Sequence, residues 1–229
     1  EDYADEIGSA LKKYSVKVLA CPVNPYIDTR LRSHIDLSVF HFGDNRFLLS
    51  CVLNKSRFAE KLAEMGADII FPASTPGAKY PDDARLCALA VGKLLFHNLK
   101  ITDQNILDGT FGRYICVGQG YAKCAVCLVS ETAAITADNG LAKTMRAAGM
   151  DVLLISSGNI ELKGFSEGFI GGASFKIAPD TLAFTGSLDS HPDKREIEEF
   201  LKKHEVNPLY LTSKPVFDIG SVIPLSETI

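Results

Sequence analysis

No stretch of this chain approaches the roughly 20 consecutive apolar residues that span a bilayer, so a membrane helix is not expected. There is no N-terminal signal pattern, no basic stripe and no low-complexity segment. A formal net charge of −4 leaves no electrostatic case for a nucleic-acid partner. A phosphate-loop motif is missing, and Gly118-Gln119-Gly120 lacks the later glycine and the helix of a dinucleotide fingerprint. Cys124-Ala125-Val126-Cys127 spells C-x-x-C, but it stands in an apolar run with no second pair. That setting argues against a structural zinc site and against a thioredoxin-type site, which would lie at a helix N-terminus. No metal or organic cofactor is implied. Four of the six cysteines (Cys51, Cys87, Cys116, Cys127) sit inside apolar runs, the usual place of buried structural thiols. Together these features lead us to expect one domain in a reducing cytoplasm.

What the chain does have is a repeat. Its 229 residues, 46% of them hydrophobic, are enough to bury a large core. Segments opening at His34, Asp83, Lys123, Gly171 and Asp218 begin similar runs, roughly 40–50 residues apart. The clearest unit has apolar strands over Cys124–Ser130 and Thr132–Thr136. A helix follows, N-capped by Asp138 and ended by Gly149, and then the buried strand Asp151–Ile155. The first unit repeats this order, with strands Leu37–Phe42 and Phe47–Val52, helix Arg57–Met65 behind Ser56, and strand Asp68–Phe71. The fourth does so with Ser174–Ile177, Leu182–Thr185, helix Asp193–His204 and Pro208–Leu211. The second has only a short helix near Asp103–Leu107. The fifth is split, Val216–Leu225 being expected to pair with Val16–Ala20 and close a ring. The expected modules are 34–82, 83–122, 123–170 and 171–217, with 218–229 closing onto 1–33. Units of this kind bury their faces against their neighbours, and equivalent module starts converge on one axis.

The candidate chemistry lies at those starts. Cys124 is the candidate nucleophile, with the cation Lys123 beside it; a small buried core thiol is the plainer reading. His34 suits a general acid/base, with Asp36 two residues on and on the same strand face; a strand-start histidine with an aspartate partner is the alternative. Asp83, Asp218 and Asp82 offer carboxylates for a cationic substrate, although aspartate before a strand is also an ordinary turn residue. Gly171-Gly172 serves either the approach of a ligand or tight packing.

Five strand-strand-helix-strand modules about a pseudo-fivefold axis resemble the pentein fold of guanidine-modifying enzymes, an α/β propeller. Ser33-His34-Ile35-Asp36-Leu37 resembles their His-x-Asp segment, and Gly118-Gln119-Gly120-Tyr121-Ala122-Lys123-Cys124 the approach to their nucleophilic cysteine. Gly168-Phe169-Ile170-Gly171-Gly172-Ala173 is similar to their Gly-Gly-Asp strand, but with Ala173 where the aspartate stands, and the histidine module comes first in this chain. The whole sequence is similar to an uncharacterised bacterial family assigned to that fold. The resemblance implies cysteine-dependent hydrolysis or group transfer on a guanidino or amidino compound in an axial pocket. Cys124 and His34 would be catalytic, and Asp36, Asp83, Lys123, Gly171, Gly172 and Asp218 would bind substrate. The other reading is a non-catalytic pentein that binds a small ligand or a protein. A homodimer is the default expectation, since twofold oligomers are the commonest.

Overall fold

The computed structural model describes residues 3–72, 75 and 77–225. The chain divides into two compact units, Glu1–Val18 with Cys124–Pro224, and Leu19–Lys123 with Leu225–Ile229. The break at Lys123 falls where the third sequence module begins.

The N-terminal helix α1 (Ala4–Lys12) belongs to the first of these units. In the other unit, β1 (Val39–Gly43) and β2 (Arg46–Leu49) form an antiparallel hairpin, and helix α2 (Arg57–Glu64) returns the chain to β3 (Asp68–Ile70), parallel to β2. Ser56 caps α2 by accepting the Ala59 N–H, and Gly66 leaves it at φ +86°, where a side chain would be strained. The second sheet repeats the order with β4 (Leu89–Val91), β5 (Leu94–His97), the single turn α3 (Gln104–Leu107) and β6 (Arg113–Cys116). Phe40, Leu48, Leu86, Leu95 and Ile106 pack together as this unit's core.

A one-turn helix, α4 (Ala122–Ala125), leads into the third sheet: β7 (Val126–Leu128), β8 (Ala133–Thr136), helix α5 (Asn139–Ala147) and β9 (Asp151–Leu154). Asp138 caps α5 through the Leu141 N–H, and Gly149 follows the helix at φ +95°. The fourth sheet has β10 (Ser174–Ala178), β11 (Thr181–Phe184), helix α6 (Lys194–Lys203) and β12 (Asn207–Tyr210). In all four sheets the middle strand pairs antiparallel with the first and parallel with the third. The core of this unit gathers Val129, Ile135, Leu182, Phe184, Leu188, Ile197 and Leu201. Ile7 and Leu11 of α1 pack with Phe175, Ala183 and Phe217.

Four expectations need correcting. His34–Leu37 and Cys124–Ala125 are not strand. Ile35–Leu37 is a 3-10 turn and Ala122–Ala125 a helical turn, each just ahead of its strand. Apolarity alone cannot tell a short buried helical turn from a strand. His34 and Asp36 therefore do not share a strand face, because residues two apart diverge on a 3-10 turn. Cys116 is exposed, since β6 is the outer strand of its sheet, and Cys51 is half-buried. None of the six cysteines forms a disulfide.

Val16–Ala20 and Val216–Leu225 carry no strand. Val216–Leu225 holds one isolated bridge, Phe217 to Glu161, while Val16 and Val222 pack against the same cluster as α1. Among the described residues, no helix is long and apolar enough to cross a membrane.

Candidate functional site

In the unit that holds Cys124, four of the expected residues come together. Cys124 is 3% exposed, and a carboxylate oxygen of Asp218 lies within 4.8 Å of its sulfur. The Gly172 N–H donates to the Cys124 carbonyl at 2.9 Å, and the Gly172 carbonyl accepts the N–H groups of Ile219 and Ser221 at 3.1 and 3.0 Å. A Cβ on Gly171 would lie 2.6 Å from the Cys124 carbonyl oxygen and closer still to that of Val126. One on Gly172 would run into the Asp218 carboxylate. The glycine pair is there for close packing: it lets the thiol's turn and the Asp218 carboxylate crowd one backbone.

Asp218 is fixed from several sides. Its Oδ2 accepts the Phe169 N–H at 2.9 Å and its Oδ1 the Gly220 N–H at 2.8 Å. Its own N–H donates to the Glu161 carbonyl at 2.8 Å. Gly220 and Ser221 both turn left-handed, at φ 76° and 70°, which brings the Gly220 N–H back to the carboxylate. Ser221 holds a conformation costly for a residue with a side chain, and backbone of that kind concentrates at functional positions. Ala173, fully buried, offers no carboxylate of its own.

The other unit holds His34, Asp36, Asp83 and Lys123. His34 opens the 3-10 turn, its N–H on the Leu31 carbonyl and its own carbonyl accepting from Leu37. Both His34 and Asp36 are buried, and an Asp36 oxygen lies within 4.8 Å of the Cys87 sulfur. The Lys123 N–H donates to the Cys87 carbonyl at 3.0 Å. Asp82 is half-exposed and pairs with Arg85 at 2.6 Å. Asp83 is 3% exposed, and the Tyr121 hydroxyl reaches both its oxygens, at 3.1 and 3.0 Å. Burial pushes the Asp83 carboxyl above the ordinary aspartate range, and the Tyr121 bond works against that shift.

Sequence reasoning passed over Tyr121, His97 and the polar residues that close the middle strands. His97 is fully buried, with Nε2 2.7 Å from the Gly120 carbonyl and Nδ1 2.7 Å from the Thr102 hydroxyl. A carbonyl only accepts, so Nε2 carries a proton. Burial lowers the His97 pKa, which keeps the ring neutral. At corresponding places the Thr136 hydroxyl donates to the Ala125 carbonyl at 2.7 Å and the Thr185 hydroxyl to the Phe217 carbonyl at 2.6 Å. The signal was present as an apolar pair followed by a buried polar residue: Leu95-Phe96-His97, Ala134-Ile135-Thr136 and Ala183-Phe184-Thr185. Each pins the backbone just before or after a module start.

Comparison with solved structures gives the same fold. An amidinotransferase of the saxitoxin biosynthetic pathway of Microseira wollei superposes with a TM-score of 0.57 at 13% identity, over 93% of this chain and 77% of that one. The inosamine-phosphate amidinotransferase of Streptomyces griseus gives 0.60 at 11% identity, over 96% and 77%. DDAH from Pseudomonas aeruginosa, complexed with citrulline, gives 0.51 at 8% identity, over 92% and 82%. The chain is similar to all three in the α/β fold of the pentein superfamily. No curated protein matches the sequence. Residues 1–223 match the model of a family of unknown function.

Proposed function

The chain belongs to DUF6873, a family of unknown function, and we propose that it acts on a guanidino or amidino small molecule through a covalent intermediate on Cys124. The fold, shared with two amidinotransferases and DDAH, supports the general kind of chemistry. The observation that carries the finer reading is the carboxylate within 4.8 Å of a buried thiol. A thiolate beside a carboxylate is disfavoured unless a cation joins them. A guanidinium meets that need. Its N–H edge pairs with Asp218, and its planar carbon is presented to the sulfur.

In this scheme the Cys124 thiolate attacks the guanidinium carbon and forms an S–C bond. The C–N bond to the leaving amine breaks as that nitrogen takes a proton from His34. Water or an acceptor amine, losing a proton to His34, then displaces the sulfur and restores the thiolate. Water makes the protein a hydrolase, and an amine makes it an amidinotransferase. Asp36, Asp83 and Lys123 complete the proposed binding set.

Acid quenching followed by intact-mass spectrometry tests the scheme. Incubation with arginine or agmatine is expected to leave an adduct on the Cys124 peptide that C124S does not form. Absence of any adduct or turned-over product across a panel of guanidino and amidino compounds would overturn it. The buried alanine at position 173, where the related enzymes' motif has a carboxylate, favours the alternative of a pentein that binds its ligand without chemistry. Binding of the same compounds without an adduct is the outcome expected from that alternative.

A further inference from the structure

The Asp83–Tyr121 pair is more than a buried hydrogen bond. Asp83 belongs to a turn in which its N–H donates to the Lys79 carbonyl and that of Ala84 to the Pro81 carbonyl. The carboxylate itself accepts the Tyr121 hydroxyl on both oxygens. Tyr121 is held in turn from two sides. Its N–H donates to the Gln119 side chain at 3.0 Å, and its ring packs against Tyr80 with centroids 5.6 Å apart. The preceding Gly120 is pinned by His97 through its carbonyl, and it admits no Cβ because Tyr80 and Ile101 fill that space. The hydroxyl is therefore aimed by a rigid backbone, 38 residues along the chain from the carboxylate it serves.

We propose that Tyr121 is a positioning residue that holds Asp83 as a charged, oriented acceptor for the cationic end of the substrate. The inference rests on the reading of Asp83 as a substrate anchor. Burial is the strongest influence against the charge of this carboxylate, and Asp82 and Asp28 add to it, though Arg85 and Arg30 pair with them. Tyr121 opposes all three, with a smaller contribution from the Asp83 N–H. A cation meets a charged carboxylate only above the pH at which that carboxylate ionises. Removing the hydroxyl moves that limit upward, because the neutral form gains relative to the charged one. The half-exposed Tyr80 ring beside the pair presents a π face suited to a flat guanidinium or amidinium.

The experiment follows the Asp83 side-chain carboxyl by carbon-detected NMR titration in the full chain, for the wild type and Y121F. Arginine affinity is measured across the same pH range. Y121F keeps the ring that packs on Tyr80, so a folded protein is expected, and its amide spectrum serves as the check. The expected result is a carboxyl midpoint raised by about one pH unit in Y121F, roughly tenfold in proton affinity. The acid limb of arginine binding should move with it, and D83N should lack that limb. An Asp83 midpoint that stays in place when the hydroxyl is removed overturns the proposal. A raised midpoint with no arginine binding by the wild type at any pH supports the role of Tyr121 and counts against the proposed function instead. A general loss of packing would change affinity at every pH without moving either midpoint, and that outcome also overturns it.

Discussion

Asp218 and Asp83 are equally buried, and their surroundings are opposite. Asp218 accepts two backbone N–H groups, lies against a glycine whose missing side chain makes its space, and follows a strand bridge that fixes its main chain. The Asp83 carboxyl is pushed upward by burial and by two further aspartates, and what opposes them is the Tyr121 phenol with help from its own N–H. Backbone donors are part of the fold and cannot turn away, so the first carboxylate is built in. The second is maintained against its surroundings chiefly by one phenol supplied from 38 residues along the chain. A buried charge that costs stability is retained where it serves something other than stability.

The largest effect is expected from filling the glycine pair that packs beside Cys124 and Asp218. G171A places a methyl group against two backbone carbonyls that cannot move aside. A loss of about 3 kcal/mol or more is expected, or failure to fold, read by thermal melting. D218A leaves the Phe169 and Gly220 N–H groups buried without their acceptor, and about 2–4 kcal/mol should be lost.

His97 gives an effect of intermediate size with a pH signature. Burial lowers its folded pKa below the unfolded value near 6.5. The unfolded chain therefore binds more protons, and stability falls as pH drops below about 6.5. H97Q should cost about 1–2 kcal/mol at neutral pH and remove that part of the acid slope, read from denaturant melts at a series of pH values.

The smallest effect is the most telling. The folded pKa of Asp83 lies above its unfolded value, so ionised Asp83 opposes folding, and its contribution worsens as pH rises between those two values. D83N is expected to leave stability unchanged or raise it by up to about 1 kcal/mol at pH 7. A large loss in D83N, matching that of D218A, would erase the distinction between the two carboxylates.

Much of the fold could be read from the residues. Ser56 and Asp138 cap their helices as their positions implied, and Gly66 and Gly149 leave them with positive φ. The strand order of all four sheets follows the apolar runs and the turns between them. The turns that carry His34 and Cys124 were hidden because a single helical turn leaves no period in the sequence. The site was only partly legible for a different reason. Asp218 meets Gly172, and Tyr121 meets Asp83, through contacts between residues far apart in sequence. Composition signals that such residues exist, and only the folded chain says which partner each one has.

Alkylation by 2-chloroacetamidine, an amidinium reagent, puts the Cys124 scheme to the test, with iodoacetamide as a neutral control and exposed Cys116 as the internal reference thiol. The amidinium reagent is expected to modify Cys124 faster than Cys116. This preference should be absent with iodoacetamide, slowed in D218N and blocked by arginine. If Cys124 reacts only after denaturation, or no faster than Cys116 with either reagent, the thiol is a core residue and the covalent scheme is contradicted.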